Sequence, residues 1–143
     1  MTSIILEDDH WCFACGMENK SGLCIDWKVE GKTTSAEFIP RKNHQGWKDV
    51  VHGGILATLL DEAMTRLAWI VCGGALTAEM TVRYITPARI GEKLFIFGEL
   101  EKENRKIVEM KSCIYKEIKP GAGAKNPKSG ILIARAEGKA VKK

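Results

Sequence analysis

The sequence predicts an α+β fold in which one curved antiparallel sheet of about six strands wraps a single long central helix. Three observations lead there. The run from Val51 to Val71, VHGGILATLLDEAMTRLAWIV, is apolar on nearly every side of a helix of roughly twenty residues, which a surface helix with one buried stripe would not be. Two short runs before it and four after it alternate with the period of a strand. No β–α–β alternation occurs, which disfavours a parallel, doubly wound sheet.

Taken in order, residues 1–20 read as an N-terminal arm pinned by Trp11 and Phe13. Leu23, Ile25 and Trp27 then alternate against Cys24, Asp26 and Lys28, the signature of a half-buried strand. Glu30-Gly31-Lys32 reads as a turn, and Thr33 to Ile39 as the returning strand of a hairpin, stopped by Pro40. A polar loop, Arg41 to Val50, leads into the helix. Gly73-Gly74 supplies the reversal after it. Leu76 to Pro87, Lys93 to Leu100, Arg105 to Ile118 and Ile131 to Val141 are the later strands. The second of these is apolar on both faces and is expected to be central. KPGAGAKNPKSG, between the last two, reads as a solvated hairpin tip.

Composition narrows the functional classes. A chain of 143 residues is long enough for one domain with a substantial core, so residues 1–143 are read as a single domain. The net charge of +4 comes from lysines and arginines scattered among acids, which is no nucleic-acid signature. MTSIILEDDHW lacks a basic leader, and the long apolar run is interrupted by Asp61, Glu62 and Arg66, so no membrane partner is expected and the cytoplasm is the expected location. Five cysteines, an odd number, argue for reduced thiols. Cys12 and Cys15 have the spacing of half a zinc site or of a redox pair. With His10 as a possible third ligand and no evident fourth, a packed, reduced loop and no metal is the expectation.

The helix carries the functional signal. Glu62 and Arg66 stand at i and i+4 in the favourable order for an ion pair, whereas Asp61 has no basic partner. An unpaired carboxylate in a core helix is costly, which marks Asp61 as a candidate acid or base; a bond to Thr65 is the ordinary alternative. Gly53 and Gly54 open the helix and leave N–H groups accessible to a ligand oxygen, as an oxyanion hole requires. His52 either caps the helix or transfers protons. Nine residues separate His52 from Asp61, about 14 Å along one helix. Two antiparallel copies across a two-fold axis would bring the groups together, so a homodimer with interfacial sites is predicted. His44, Gln45 and Trp47 are candidates for a pocket rim.

Cys-Phe-x-Cys-Gly-x-x-Asn-x-x-Gly-Leu at 12–23, His-Gly-Gly at 52–54, Asp61 nine residues beyond the histidine, and Tyr-x-x-Pro-Ala-x-x-Gly at 84–91 together resemble the hotdog-fold acyl-CoA thioesterases of the phenylacetate-degradation type. The likeness spans nearly the whole chain. It implies the hotdog fold and hydrolysis of an acyl-CoA, with coenzyme A entering as part of the substrate and no separate cofactor. It gives Gly53 the oxyanion, Asp61 of the other subunit the role of base or nucleophile, and Thr77 the orientation of water or carboxylate. Glu62 ranks second as the acid because of Arg66. Arg89 and Lys93 would meet the phosphates of coenzyme A. The assembly implied is a dimer or a dimer of dimers. A non-catalytic acyl-CoA-binding domain on the same scaffold is the competing expectation, and a dehydratase of this fold is weaker because its histidine would stand in a different motif.

Overall fold

The computed structural model describes residues 6–118 and 129–142. Residues 1–5 of the arm and 119–128 of the lysine-rich loop lie outside them. The elements are β1 (Lys28–Glu30), β2 (Thr33–Phe38), a 3₁₀ turn (Lys42–His44), α1 (Gly53–Cys72), β3 (Ala75–Tyr84), β4 (Leu94–Glu103), β5 (Ile107–Lys116) and β6 (Ile131–Lys142). The strands form one sheet in the order β1-β2-β4-β5-β6-β3, every neighbour antiparallel. The doubly apolar β4 is therefore interior, as its sequence predicts, and β3 is an edge. None of the described helices is long and apolar enough to cross a membrane.

α1 lies across β2 to β6. It ends where Gly73 takes the left-handed conformation (φ 74°) and donates its N–H to Trp69 O at 2.9 Å. Its buried residues are Leu56, Leu59, Leu60, Ala63, Met64, Leu67 and Ala68, a stripe of threes and fours along one side. All-round burial, expected from the composition, is thus not reached within one chain. One sheet covers one side of a helix, and Trp69, Ile70 and Val71 remain exposed at its end.

The helix is seated unusually close to β4. A Cβ at Gly98 would stand 2.6 Å from Ala63 O and 2.5 Å from Thr34 Oγ1, so only glycine fits there. Two buried hydroxyls fill the remaining polar needs of this seat: Thr34 donates to Ala63 O at 2.7 Å, and Ser112 to Leu60 O at 2.9 Å.

The N-terminal strand differs from expectation. Leu23, Ile25 and Trp27 are buried and Cys24, Asp26 and Lys28 exposed, so the alternation is real, yet the ladder begins only at Lys28. The backbone of this segment bonds to the arm instead, Leu23 N–H to Phe13 O and Ile25 N–H to Ala14 O. The arm itself is a tight knuckle. Gly16 N–H donates to Cys12 O at 2.8 Å, and a Cβ on Gly16 would fall 2.4 Å from Cys12 N. Gly22 is constrained in the same way against Phe13 O, at 2.3 Å. Asn19 binds both sides of the loop, donating to Trp11 O and accepting from Ser21 N–H. The Cys-x-x-Cys-Gly-x-x-Asn-x-x-Gly-Leu spacing is the spacing of this loop.

Candidate active site

The start of α1 is held by two flanking loops. Val51 N–H donates to Ala88 O, His52 N–H to His44 O and Ile90 N–H to Asp49 O, while Val50 and Arg89 form a bridge. The Tyr84 hydroxyl donates to Gly53 O at 3.0 Å. His52 is the N-cap: its Nδ1 accepts the Gly54 N–H at 2.8 Å. That commits the Gly54 N–H. The Gly53 N–H donates to no group among the described residues, and it points from the positive end of a twenty-residue helix.

Asp61 lies two turns further on. Its side chain is half-buried, and Oδ1 accepts the Thr77 hydroxyl of β3 at 2.7 Å. The expected alternative partner, Thr65, bonds instead to the backbone carbonyl of Asp61, at 3.0 Å. One carboxylate oxygen is thus fixed by a hydroxyl from the sheet, and the other accepts from no group among the described residues. Within one chain Gly53 and Asp61 are eight residues apart, about 12 Å along the axis.

Glu62 faces another way. It forms no ion pair with Arg66, contrary to the i, i+4 expectation; Cys12 Sγ donates to Glu62 Oε1 at 3.9 Å and Arg66 Nη1 to Cys15 Sγ at 3.8 Å. The arm has inserted two thiols between acid and base. Burial first, and the Glu62 carboxylate next, push the Cys15 thiol well above its ordinary range, which keeps it protonated and a poor nucleophile at neutral pH. His10 is not part of this cluster; it pairs with Asp8.

The profile of the thioesterase superfamily matches residues 48–120, just over half of the chain. The chain belongs to the thioesterase superfamily. Acyl-coenzyme A thioesterase THEM4 of Xenopus laevis is 37% identical over 85 residues, which are 59% of this chain and 38% of that protein. Acyl-coenzyme A thioesterase 13 of Mus musculus is 30% identical over 71 residues, 48% of this chain and 51% of that protein. The match therefore spans about half or less of each relative. Zebrafish thioesterase superfamily member 2 has the same fold, with a TM-score of 0.72 at 20% identity over 90% of this chain and 92% of that one. The architecture is the hotdog fold of this superfamily.

The other candidates of this thioesterase-superfamily chain fall into two groups. Gln45 and Arg89 adjoin the start of α1: Gln45 bridges to Val51 and accepts the Asp49 N–H, and the exposed Arg89 lies opposite Val50. Trp47, 86% exposed, stands at the tip of the same loop. Lys93 is elsewhere, 2.9 Å from Glu37 and over the Phe95 ring. With Lys20, Leu23, Phe38 and Arg41 it borders a groove of about 600 Å³ that Gly53, Asp61 and Thr77 do not border. His44 is buried rather than at a rim, accepting the Arg41 N–H on Nδ1. Sequence reasoning missed Tyr84, although it opens the Tyr-x-x-Pro-Ala motif. It also missed the approach of Glu62 to Cys12, fifty positions away.

Proposed function

We propose that this chain is an acyl-CoA thioesterase of the phenylacetate-degradation type, hydrolysing a small aromatic or short-to-medium acyl-CoA at sites shared between two subunits. The observation that carries the reading is the pairing of a hydroxyl-oriented acid with an uncommitted N–H at the start of the same helix, at Asp61 and Gly53. The names of the two curated relatives point to the same substrate class.

In this reading the thioester carbonyl oxygen accepts the Gly53 N–H, whose helix dipole favours the charge that develops on it. The partner subunit's Asp61 takes a proton from water, and the hydroxide attacks the carbonyl carbon. The tetrahedral intermediate expels the coenzyme A thiolate, which leaves with that proton. Thr77 holds the carboxylate in place, Tyr84 and the His52 cap fix the helix start, and Gln45, Trp47 and Arg89 border the substrate. Lys93 is the weaker phosphate contact because Glu37 already holds it.

A homodimer is supported by the exposed apolar residues Trp69, Ile70, Leu76 and Ile85, and by β3 standing at the sheet edge. Such dimers could pair again. All five cysteines are free, which suits a reducing cytoplasm.

Thiol release from aromatic, short and long acyl-CoAs, measured for the wild type and Asp61→Asn, tests the reading. Turnover that collapses in the variant supports it and names the acyl class. Acyl-CoA binding without turnover in both proteins would replace it with a binding domain. Mixing Asp61→Asn with Gly53→Val, whose side chain would crowd the N–H and the Tyr84 ring 3.5 Å away, tests the shared site. Activity should reappear in the mixture, and its absence in a verified heterodimer would place each site within one subunit.

A further inference from the structure

Among the described residues, the proposed reaction leaves unused a cluster of potential metal ligands. Cys12, Cys15 and Glu62 are all half-buried, and their donor atoms lie within 4.8 Å of one another. The thiols come from the arm and the carboxylate from the middle of the core helix, fifty positions along the chain. We infer that Cys12, Cys15 and Glu62 form a three-ligand site for a thiophilic divalent cation such as Zn²⁺, which staples the N-terminal arm to α1.

The dimensions suit the ion. Tetrahedral Zn²⁺ with sulfur at about 2.3 Å and oxygen at about 2.1 Å sets sulfur and oxygen about 3.6 Å apart and the two sulfurs about 3.8 Å apart. Cys12 Sγ and Glu62 Oε1 are 3.9 Å apart. The widest separation allowed by the cluster exceeds the ideal sulfur pair by about 1 Å, within reach of a side-chain rotation.

The backbone already supports one of the two sulfurs. Cys15 N–H is directed at Cys12 Sγ from 3.4 Å, and Gly16 closes the knuckle where no other residue fits. The charges also balance. Two thiolates and a carboxylate around a divalent ion leave one negative charge, and the Arg66 guanidinium lies 3.8 Å from Cys15 Sγ. Arg66 Nε is buried without an acceptor among the described residues, so the guanidinium has a donor in reserve beside the cluster. On binding, each thiol loses its proton to solvent, and water completes the fourth position.

Two cysteines three positions apart supply half a site, which is why the sequence pattern alone falls short. The fold supplies the third ligand. A redox role for the same pair would need an exposed, anionic sulfur, whereas here both thiols are half-buried beside a carboxylate.

The test uses the full chain, purified with its thiols reduced and dialysed against Zn²⁺ or Co²⁺. One Zn²⁺ per chain should persist through gel filtration and raise the melting temperature. Co²⁺ should give sulfur-to-cobalt charge-transfer absorption and the visible bands of a tetrahedral ion. Glu62→Gln should weaken Zn²⁺ by roughly 10-fold or more. Cys24→Ser should leave binding unchanged, since the Cys24 thiol faces Gly16 O and Asn19 O. Absence of metal and of charge-transfer absorption in folded, reduced wild type would overturn the inference. So would a cobalt spectrum that survives Cys12→Ser.

Discussion

Thr77 Oγ1 donates to Asp61 Oδ1 at 2.7 Å, tying the acid of α1 to the edge strand β3. A hydrogen bond to a charged group contributes about 1.5–3 kcal/mol when shielded, and less where water competes. Thr77 is exposed in the single chain, so the smaller figure applies. Thr77→Val should lower kcat about 10-fold with little change in KM, while Thr77→Ser keeps most of the turnover. Steady-state thiol release checks this, and wild-type kcat in Thr77→Val would remove the residue from the mechanism.

Asp61→Asn should lower turnover by about 10²- to 10⁴-fold, the range of a general base. The dimer should persist, as sedimentation can establish, because the amide can still accept from Thr77. Full activity in this variant would end the assignment of Asp61.

The contact of His52 with Gly54 separates capping from proton transfer. Asparagine also caps, so His52→Asn should keep stability and most of the activity, whereas His52→Ala should cost about 0.5–2 kcal/mol. Denaturant midpoints and rates together decide it. Loss of turnover in a stable His52→Asn would make the imidazole a proton carrier.

Much of the fold was legible because it rests on local patterns. The helix, its glycine stop, the five strands from β2 onward and the interior place of β4 follow from periodicity and turn chemistry. Asp61 stood out because nothing nearby in sequence could pair with it, and the sheet supplies Thr77. What failed depends on contacts far apart in the chain. Leu23, Ile25 and Trp27 alternate because they pack beneath a knuckle, which period two cannot tell from a ladder. Glu62 and Arg66 have ion-pair spacing, and only the fold reveals the thiols between them. The helix's apolar far side has the composition of core although one sheet cannot enclose it.

His44 makes stability depend on pH. Burial, then the Arg41 charge, lowers its pKa below the ordinary value of 6.5, and Nε2 is buried without a partner among the described residues. Between the folded and unfolded values the unfolded chain binds the extra proton, so His44's contribution is full above about 6.5 and is lost as pH falls toward the folded value. Urea midpoints should drop on acidification from pH 7.5 to about 5.5, and less in His44→Gln. An equal drop in both proteins would assign the effect to other groups.

Gly98→Ala should destabilise the fold by about 1–3 kcal/mol, because the added methyl meets the backbone oxygen of Ala63. Chemical denaturation reads this directly. An unchanged midpoint would mean that helix and sheet can part without cost.

The hydroxyls of Thr34 and Ser112 grip the helix at Ala63 and Leu60, one on each side of the Asp61-Glu62 pair. Sheet and acid therefore behave as one rigid part, like a tool clamped in a vice. Heating would free the arm and the loop before Gly53 well ahead of any slippage of the acid along the strands. Amide exchange would be slowest around Leu60 to Met64 for the same reason. Loops at the mouth can then change in length and composition, and with them the acyl group accepted, while the reacting carboxylate keeps its station.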